Sequence, residues 1–355
     1  MPALGTAHGV PVTLVSVDEA RSTPIWLDKP VVTRPYTPRP SGRASRAPAS
    51  GLDAYSEAVL HESLACIRAY HAAQPHWWTC QARALCMAAR PPCELPACVV
   101  AAEREPGTSR WAHVLHTNDT DAEVQVREAR CTYVLPPRSA FLLTDLLPAQ
   151  RREPHGWASV RALVHAHGGA SVVVMDPPWP NWSAKRTQGY NTLLDLYELW
   201  RIRPALESLL GPDTLLAVWV TNAPRVQRFV AQKLMPALGL VHQATWAWLK
   251  VTAPTANAPP DSVVPLDCDA RHFRRPYELV FLGARTPQAV PQRHMLVSVP
   301  LGHSAKPYLG GALNVHNPVV VELFARHVSA GRGTGVHISV GNEAVQGNEV
   351  RGMGM

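Results

Sequence analysis

The sequence predicts an α/β protein built on a doubly wound, largely parallel sheet with some antiparallel edge, and two observations support this. Short runs of β-branched and other apolar residues alternate along the chain with segments of helical periodicity, which is the pattern of β-α-β units. These runs are continuous rather than interrupted by polar residues, as expected for strands that are covered on both faces.

Strands and helices are predicted in alternation over the second half of the chain. The predicted strands are 171–175, 214–221, 244–251, 279–282, 295–299 and 319–321. The predicted helices are 193–210 and 224–238. Pro224 falls in the first turn of the second helix, where a missing amide hydrogen costs nothing.

Composition divides the chain into four predicted parts. Residues 1–50 are basic and rich in proline; they bury too little apolar surface to offset the entropy of ordering, so we predict a disordered tail. Residues 51–132 begin with an amphipathic helix and continue as short apolar runs between polar turns, which indicates a small helical and β-rich subdomain. Residues 133–345 form the larger predicted domain, and 346–355 a short tail.

Charge and hydropathy favour a soluble, intracellular protein with a polyanionic partner. The formal net charge is +7 over 355 residues, and a basic balance of this kind favours association with nucleic acid. The N-terminus lacks the charged start and apolar run of a signal peptide. No apolar run reaches the roughly 18 residues that a membrane helix needs. We therefore expect a protein that is neither secreted nor inserted in a membrane.

The cysteines do not predict a metal site. The chain has seven of them, and the four closest together are separated by five, six and four residues, unlike the usual zinc ligands. These four are Cys80, Cys86, Cys93 and Cys98. Scattered reduced thiols are the better interpretation.

The most informative stretch is 171–182, Ser-Val-Val-Val-Met-Asp-Pro-Pro-Trp-Pro-Asn-Trp. A buried strand ends at Asp176, and the two prolines that follow prevent the chain from continuing the ladder. Ligands of open α/β sheets bind at such carboxyl ends of strands. A carboxylate, proline carbonyls and the Trp179 ring together suit a planar ligand with an NH2 group, such as a flipped adenine or cytosine.

Two further carboxylates are expected at strand ends. Asp145 follows an apolar stretch and lies 31 residues before Asp176, so we expect the two on neighbouring strands that flank one pocket. Glu322 follows three valines and is placed to accept both hydroxyls of a ribose. Phe324 and Arg326 are then positioned to cover a sugar or base and to reach a carboxylate or phosphate.

A cationic and aromatic segment follows the Asp-Pro-Pro-Trp stretch. Lys185 and Arg186 are candidates for phosphate contacts, and Tyr190 or Trp182 for stacking on a base; a merely solvated loop is the alternative. No GxGxxG or Walker loop is present, which argues against a dinucleotide or nucleoside triphosphate site.

With these residues in hand, the chain from about Tyr133 to Glu343 resembles the eukaryotic adenine methyltransferase family that includes the messenger-RNA N6-methyladenosine writer, in the branch of methyltransferase-like protein 4. Six ordered blocks carry the resemblance: Pro136 to Asp145, Asp176 to Arg186, Trp219 to Asn222, His303 to Pro307, Glu322 to Arg326, and Gly341 to Glu343.

The resemblance implies a Rossmann-like methyltransferase fold, S-adenosylmethionine as cofactor, and transfer of a methyl group to N6 of adenine in RNA, such as small nuclear RNA, or in DNA. It also implies a nuclear location, and a monomer or a heteromer with a related subunit. The residue roles that it implies are catalytic for Asp176, Pro177, Pro178 and Trp179; cofactor-binding for Asp145, Leu146, Lys306, Glu322, Phe324, Arg326, Asn342 and Glu343; and nucleic-acid-binding for Asn181, Lys185, Arg186 and Tyr190.

The sequence departs from the family pattern at two places. Two residues separate His303 from Lys306, where the family often has histidine directly before lysine, and 327–340 lacks the tryptophan that relatives usually place there. The alternative function is a catalytically silent nucleic-acid-binding partner subunit, because the family contains paired subunits of which one has lost the motif. The intact Asp176–Trp179 and Glu322–Phe324 blocks speak against this alternative.

Overall fold

The computed structural model describes residues 3–7, 9–14, 57–74, 111–128, 131–149, 153–180, 193, 195–252, 259–265, 276–300, 306–310, 312–313, 315 and 318–350. The strands are β1 (Ala3–Ala7), β2 (Val10–Leu14), β3 (Leu115–Asn118), β4 (Val124–Glu128), β5 (Cys131–Leu135), β6 (Ser139–Leu142), β7 (Val172–Met175), β8 (Leu215–Val220), β9 (Val241–Lys250), β10 (Tyr277–Ala284), β11 (Arg293–Ser298), β12 (Val320–Leu323), β13 (His337–Val340) and β14 (Glu349–Val350). The α-helices are α1 (Glu57–Ala73), α2 (Trp157–Ala166), α3 (Arg203–Glu207), α4 (Pro224–Phe229) and α5 (Met235–Ala237). Short 3-10 helices span Leu196–Ile202, Pro260–Ser262 and Gln346–Asn348, and a π-helical turn spans Val230–Leu234 between α4 and α5.

One large mixed sheet organises the described residues, with the strand order β1-β2-β11-β9-β10-β8-β7-β12-β13-β6-β3. The central strands β6, β13, β12, β7 and β8 are all parallel. β10 is antiparallel to both β8 and β9, so the amino end of β10 lies at the same edge as the carboxyl ends of its neighbours. The predicted Rossmann-like α/β fold is confirmed.

The two faces of this sheet are covered differently. On one face, Val173, Met175 and Val218 pack under the helices in the main core, and α2 contributes Trp157, Val160 and Val164 at helical spacing. The other face carries residues of the opposite parity, including Trp219, Trp246 and Trp248, with Leu309 and Leu313 packed over them. Because side chains alternate along a strand, each apolar run supplies both cores.

The prediction of a disordered tail over 1–50 is wrong for its first residues. β1 and β2 form an antiparallel hairpin, and β2 runs parallel to β11 at the edge of the large sheet. The sequence signal that could have revealed the hairpin is the alternation of Val10, Val12 and Leu14, which are buried in the structure; the prolines and arginines farther along obscured it. Residues 15–50 lie outside the described residues.

Elements from 51–132 take part in both sheets. The predicted helix is present as α1, and β3 pairs with β6 in the large sheet. β4, β5 and β14 form a separate three-stranded sheet, tied down by Asn348, whose amide donates to the Val134 carbonyl at 3.1 Å. The division at 132/133 stays a prediction.

The predicted strands at 171–175, 214–221, 244–251, 279–282, 295–299 and 319–321 all occur, with shifted ends. The predicted helix 193–210 is instead a 3-10 helix followed by α3. The expectation that Asp145 and Asp176 end neighbouring strands is wrong, because β13 and β12 lie between β6 and β7. Among the described residues, no helix has both the length and the apolar character that crossing a membrane requires.

Candidate active site

The Asp176–Trp179 loop leaves the carboxyl end of β7 in a fixed shape. The Asp176 amide donates to the Leu323 carbonyl of β12 at 3.3 Å, and the Trp179 amide turns back to the Pro177 carbonyl at 2.8 Å. The Pro178 carbonyl accepts from the Leu193 amide at 2.9 Å. Prolines restrict the backbone further, so the loop presents Asp176 in one orientation.

Trp179 does not offer an open ring face, contrary to the sequence expectation. Its side chain is 6% exposed, and its indole N–H donates to the Trp219 carbonyl at the end of β8 at 2.8 Å. A buried indole whose N–H is hydrogen-bonded holds the backbone that carries it in place. Trp179 therefore holds the Asp176–Trp179 loop against β8.

Lys306 is the centre of the charge cluster at this edge. Its Nζ lies 3.1 Å from Asp176 Oδ2 and 3.0 Å from Glu278 Oε2, and 5.9 Å from the centre of the Trp219 ring. The family resemblance implied that Lys306 binds the cofactor, and the structure shows that two protein carboxylates hold its ammonium in place.

Glu278 and Lys250 belong to the cluster but were missed from the sequence. Lys250 ends β9, ion-pairs with Glu278, and lies 4.8 Å from the ring centre of Trp248. Glu278 lies at the start of β10, and because β10 is antiparallel, a search for polar residues at strand carboxyl ends passes over it. Lys250 does end a strand, so the same search could have found it.

The two carboxylates on Lys306 respond oppositely to this environment. Burial raises the pKa of Asp176 above its ordinary value, an effect that Lys306 only partly offsets. Burial acts on Glu278 in the same direction, but Lys306 and Lys250 together lower the pKa of Glu278 to about 2. Burial by itself would lower the pKa of Lys306, yet Asp176 and Glu278 raise it well above its ordinary value.

Glu322 lies on β12, next to β7, and its carboxylate is held from the neighbouring strand. His337 Nε2 lies 3.1 Å from Glu322 Oε2, and the two side chains are 1% and 16% exposed. Glu322, His337, Lys306 and Trp219 line one small cavity. The cavity therefore joins the expected ribose-binding carboxylate to the charge cluster.

The chain after Glu322 is constrained by close packing. Phe324 has a φ of 61°, which is uncommon for a bulky residue and marks strain beside a strand end. A Cβ on Gly341 would lie 3.1 Å from the Ala325 nitrogen, so this approach of two strand ends depends on glycine.

The remaining predicted cofactor residues fall in two groups. Arg326 and Glu343 form an ion pair at 2.6 Å, next to the exposed Asn342. Asp145 is exposed beyond β6 and accepts from the Leu147 amide at 2.8 Å, while Leu146 is buried. The structure thus separates an Asp145 group from the Asp176 cluster by two strands.

The predicted nucleic-acid contacts lie outside the described residues. They are Asn181, Lys185, Arg186 and Tyr190.

The MT-A70 family model matches this chain over residues 170–343, which include β7, the Asp176 loop, Glu278, Lys306 and Glu322. Residues 170–343, just under half of the chain, are similar to the MT-A70 family. The resemblance to the adenine methyltransferase family is confirmed, and the charge cluster described above lies entirely inside the MT-A70 region.

Curated relatives extend the same match. The human N(6)-adenine-specific methyltransferase METTL4 is 32% identical over 216 residues, which are 56% of this chain and 41% of that protein. The N6-methyladenosine RNA methyltransferase MTA1 of Pyricularia oryzae is 35% identical over 214 residues, 56% of this chain and 52% of that protein. The chain spans about half the length of the curated relatives it matches.

Likeness to solved structures is weaker. The M1.HpyAVI–SAM complex is 13% identical and covers 52% of this chain and 88% of its own, with a TM-score of 0.31. The fold assignment therefore rests on the strand order of this chain itself.

Proposed function

We propose that this chain is an S-adenosylmethionine-dependent methyltransferase that modifies the exocyclic N6 amine of adenine in nucleic acid. The observation that carries the proposal is the rigid Asp176–Trp179 loop at the carboxyl end of β7, with its carboxylate fixed by Lys306 at 3.1 Å. The amine of a planar base has two hydrogens, and the loop offers two acceptors for them: the Asp176 carboxylate and the second lone pair of the Pro177 carbonyl.

The names of relatives support the same substrate class. The human relative is named an N(6)-adenine-specific methyltransferase and the fungal one an N6-methyladenosine RNA methyltransferase. A Caenorhabditis elegans relative, 25% identical over 202 residues, 55% of this chain and 49% of that protein, is named a DNA N6-methyl methyltransferase. All three names include N6 methylation, whereas one specifies RNA and another DNA. The proposal therefore specifies adenine as the target base and leaves RNA and DNA as alternative substrates.

The residues present fit the cofactor by their chemistry. S-adenosylmethionine presents a ribose diol, an α-ammonium and a carboxylate, and the cavity wall offers the Glu322 carboxylate for the diol and Lys306 for the carboxylate. Phe324, Arg326, Asn342 and Glu343 would complete the wall beyond Glu322, and Asp145 and Leu146 would hold the adenine of the cofactor.

The cofactor supplies an electrophilic methyl group on a sulfonium. The protein then has two tasks: to align the two reactants and to stabilise the charge that develops on the amine. Holding the two reactants in line contributes about 7–11 kcal/mol in favourable cases. Asp176 accepts a hydrogen bond from the target amine and stabilises the positive charge that develops on its nitrogen. The raised pKa of Asp176 also suits it to accept the proton that this nitrogen finally loses.

The nucleic-acid contacts and cellular setting extend the proposal. Asn181, Lys185, Arg186 and Tyr190 follow the catalytic loop directly in sequence and would bind the strand that carries the flipped base. Changing both Lys185 and Arg186 to alanine should reduce the salt dependence of oligonucleotide affinity by about one to two units of log–log slope. We further propose a nuclear location, and a monomer or a heteromer with a related subunit.

The test of the function is mass spectrometry of nucleosides after incubation of the protein with isotopically labelled cofactor and either RNA or DNA. Labelled N6-methyladenine from the parent, and none from Asp176→Ala, is the expected result. Asp213→Ala is the matched control, because Asp213 is exposed and precedes β8 at the opposite edge of the sheet. A parent that binds nucleic acid but transfers no label with or without nuclear extract would instead support the silent-subunit alternative.

A further inference from the structure

The feature from which we infer more is the hydrogen bond beneath Glu322. His337 is 1% exposed, and its Nε2 lies 3.1 Å from Glu322 Oε2. Nothing in the sequence motifs singles out His337, which falls in the 327–340 segment where the usual tryptophan is absent. Burying an imidazole is costly unless it is hydrogen-bonded. Here its partner is a carboxylate that lines the cavity, so the pair calls for an explanation.

The sheet itself brings the two side chains together. β12 and β13 are parallel, with Glu322 opposite Ser339 and Val320 opposite His337. Residues two apart on a strand share a face, so His337 projects beside Glu322 from one position earlier on that face. Ser339 is directly opposite, but its hydroxyl is too short to replace the imidazole, and no bond from it to Glu322 is present among the described residues.

The imidazole is also fixed from its other side. The Tyr308 ring packs against it with centroids 5.6 Å apart, and the Arg332 guanidinium lies 5.2 Å from the centre of that Tyr308 ring. A Cβ on Gly310 would fall 2.3 Å from the Tyr308 hydroxyl. Gly310 therefore leaves room for the Tyr308 ring, and this ring packs against the imidazole on the side away from Glu322.

The geometry also selects one imidazole tautomer. His337 Nδ1 is fully buried and has no hydrogen-bond partner among the described residues. A proton on Nδ1 would be buried without an acceptor among the described residues, which is unfavourable. The proton therefore belongs on Nε2, where it is donated to Glu322.

We propose that His337 is a positioning residue for the cofactor: its Nε2–H fixes the Glu322 carboxylate in the orientation that accepts both ribose hydroxyls. This inference rests on the proposed function and deepens it. An ionised carboxylate has about four acceptor sites, so the bond to His337 restricts rotation of the carboxylate and by itself occupies only part of its acceptor capacity. Preorganisation of this kind raises affinity by lowering the entropy lost on binding.

The test measures binding by calorimetry with two probes, S-adenosylhomocysteine and its 2′,3′-dideoxy analogue. His337→Leu should weaken S-adenosylhomocysteine by about tenfold, the lower end for a hydrogen bond to a charged group, and should leave the dideoxy analogue within twofold of the parent. His337→Gln should restore most of the affinity, because its amide N–H occupies a position similar to Nε2–H. Equal losses for both probes, or no rescue by glutamine, would show a purely structural role.

His294→Leu is the matched control for loss of a buried histidine. His294 is also in the large sheet, with Nε2 at 2.8 Å from Thr13 Oγ1, and β11 lies five places from β12 in the strand order. It should lower stability without changing either affinity.

A second readout needs no cofactor. Nitrogen-15 NMR of labelled histidine in the free protein should show His337 protonated on Nε2, with a resonance that shifts in Glu322→Gln. An Nδ1-protonated ring would overturn the inference. A parent that binds neither probe would overturn both this inference and the proposed function, whereas parent binding with equal losses for the two probes overturns the inference alone.

Discussion

The end of β7 and the start of β10 each place a carboxylate on the same ammonium, yet the two carboxylates differ in protonation energetics. Among the described residues, the ion-pair partner of Asp176 is Lys306, and burial raises the pKa of Asp176. Glu278 contacts Lys306 and Lys250, and its pKa falls to about 2. At Asp176 burial outweighs the attraction of the nearby cations, whereas at Glu278 the two lysines outweigh burial, so Glu278 is the fixed anion of the cluster.

The difference assigns a role to each acid. Glu278 is the permanent counter-ion that keeps Lys306 charged and in place. Asp176 is held in position, but nearby cations do not fully offset the effect of burial on its carboxylate. This suits the role proposed for it, in which it accepts a hydrogen bond and then a proton from the amine of the target base.

The largest effect is expected from removing the shared cation. Lys306→Met leaves two carboxylates close together without their common partner, and breaking a buried pair in this way costs about 3–5 kcal/mol. Chemical denaturation of the variant should show that loss relative to the parent. A change below 1 kcal/mol would mean that solvent already screens the cluster.

The next largest effect is expected from replacing each of the two acids by its isosteric amide, which distinguishes their roles. Asp176→Asn should reduce methyl transfer by a factor of 100 or more, by analogy with the roughly 2.7–4 kcal/mol lost when one oriented polar group is removed from an oxyanion site, while its melting temperature stays equal to or above that of the parent. Glu278→Gln should lower the melting temperature. Steady-state rates and differential scanning calorimetry on both variants check this, and the reverse pattern would exchange the two roles.

A smaller effect is expected from making Glu278 resemble Asp176. Lys250→Met removes the second cation from Glu278, costing about 1.5 kcal/mol, the lower end for a hydrogen bond to a charged group, and raising the pKa of Glu278. Chemical denaturation measures the stability of the variant, and NMR of the carboxylate measures the pKa of Glu278. Lys233→Met, which removes an exposed lysine bonded to Tyr197, serves as the control and should change neither quantity.

The smallest effect is the acid limb of the stability curve. Because the folded-state pKa of Glu278 is below its ordinary value of 4.5, its contribution is complete above about pH 4.5 and is lost as the pH falls toward about 2. Between pH 4.5 and 3 the parent should lose about 1 kcal/mol more than Glu278→Gln. Parallel curves for the two proteins would show that Glu278 titrates normally.

The same contrast explains which site residues the sequence reveals. Asp176 and Glu322 each follow a valine-rich run that can only be a buried strand, so their positions at the ligand edge follow from local pattern. Glu278 lies at the start of its strand, and no local sequence pattern indicates that β10 is antiparallel to its neighbours. His337 lies inside an apolar strand, where a histidine is ordinarily a buried core residue with no ligand role.

Sequence alone predicted the strands β7 to β12, the stiff Asp176–Trp179 turn and the resemblance to the adenine methyltransferase family, because these depend on residues close together in the chain. Only the tertiary structure decided that β13 and β12 separate Asp145 from Asp176, that Trp179 is turned inward to Trp219, that residues 3–14 extend the sheet, and that Lys306 joins two acids from distant strands. These features depend on strand order, strand direction and burial. They arise from contacts between segments far apart in sequence, so no local periodicity predicts them.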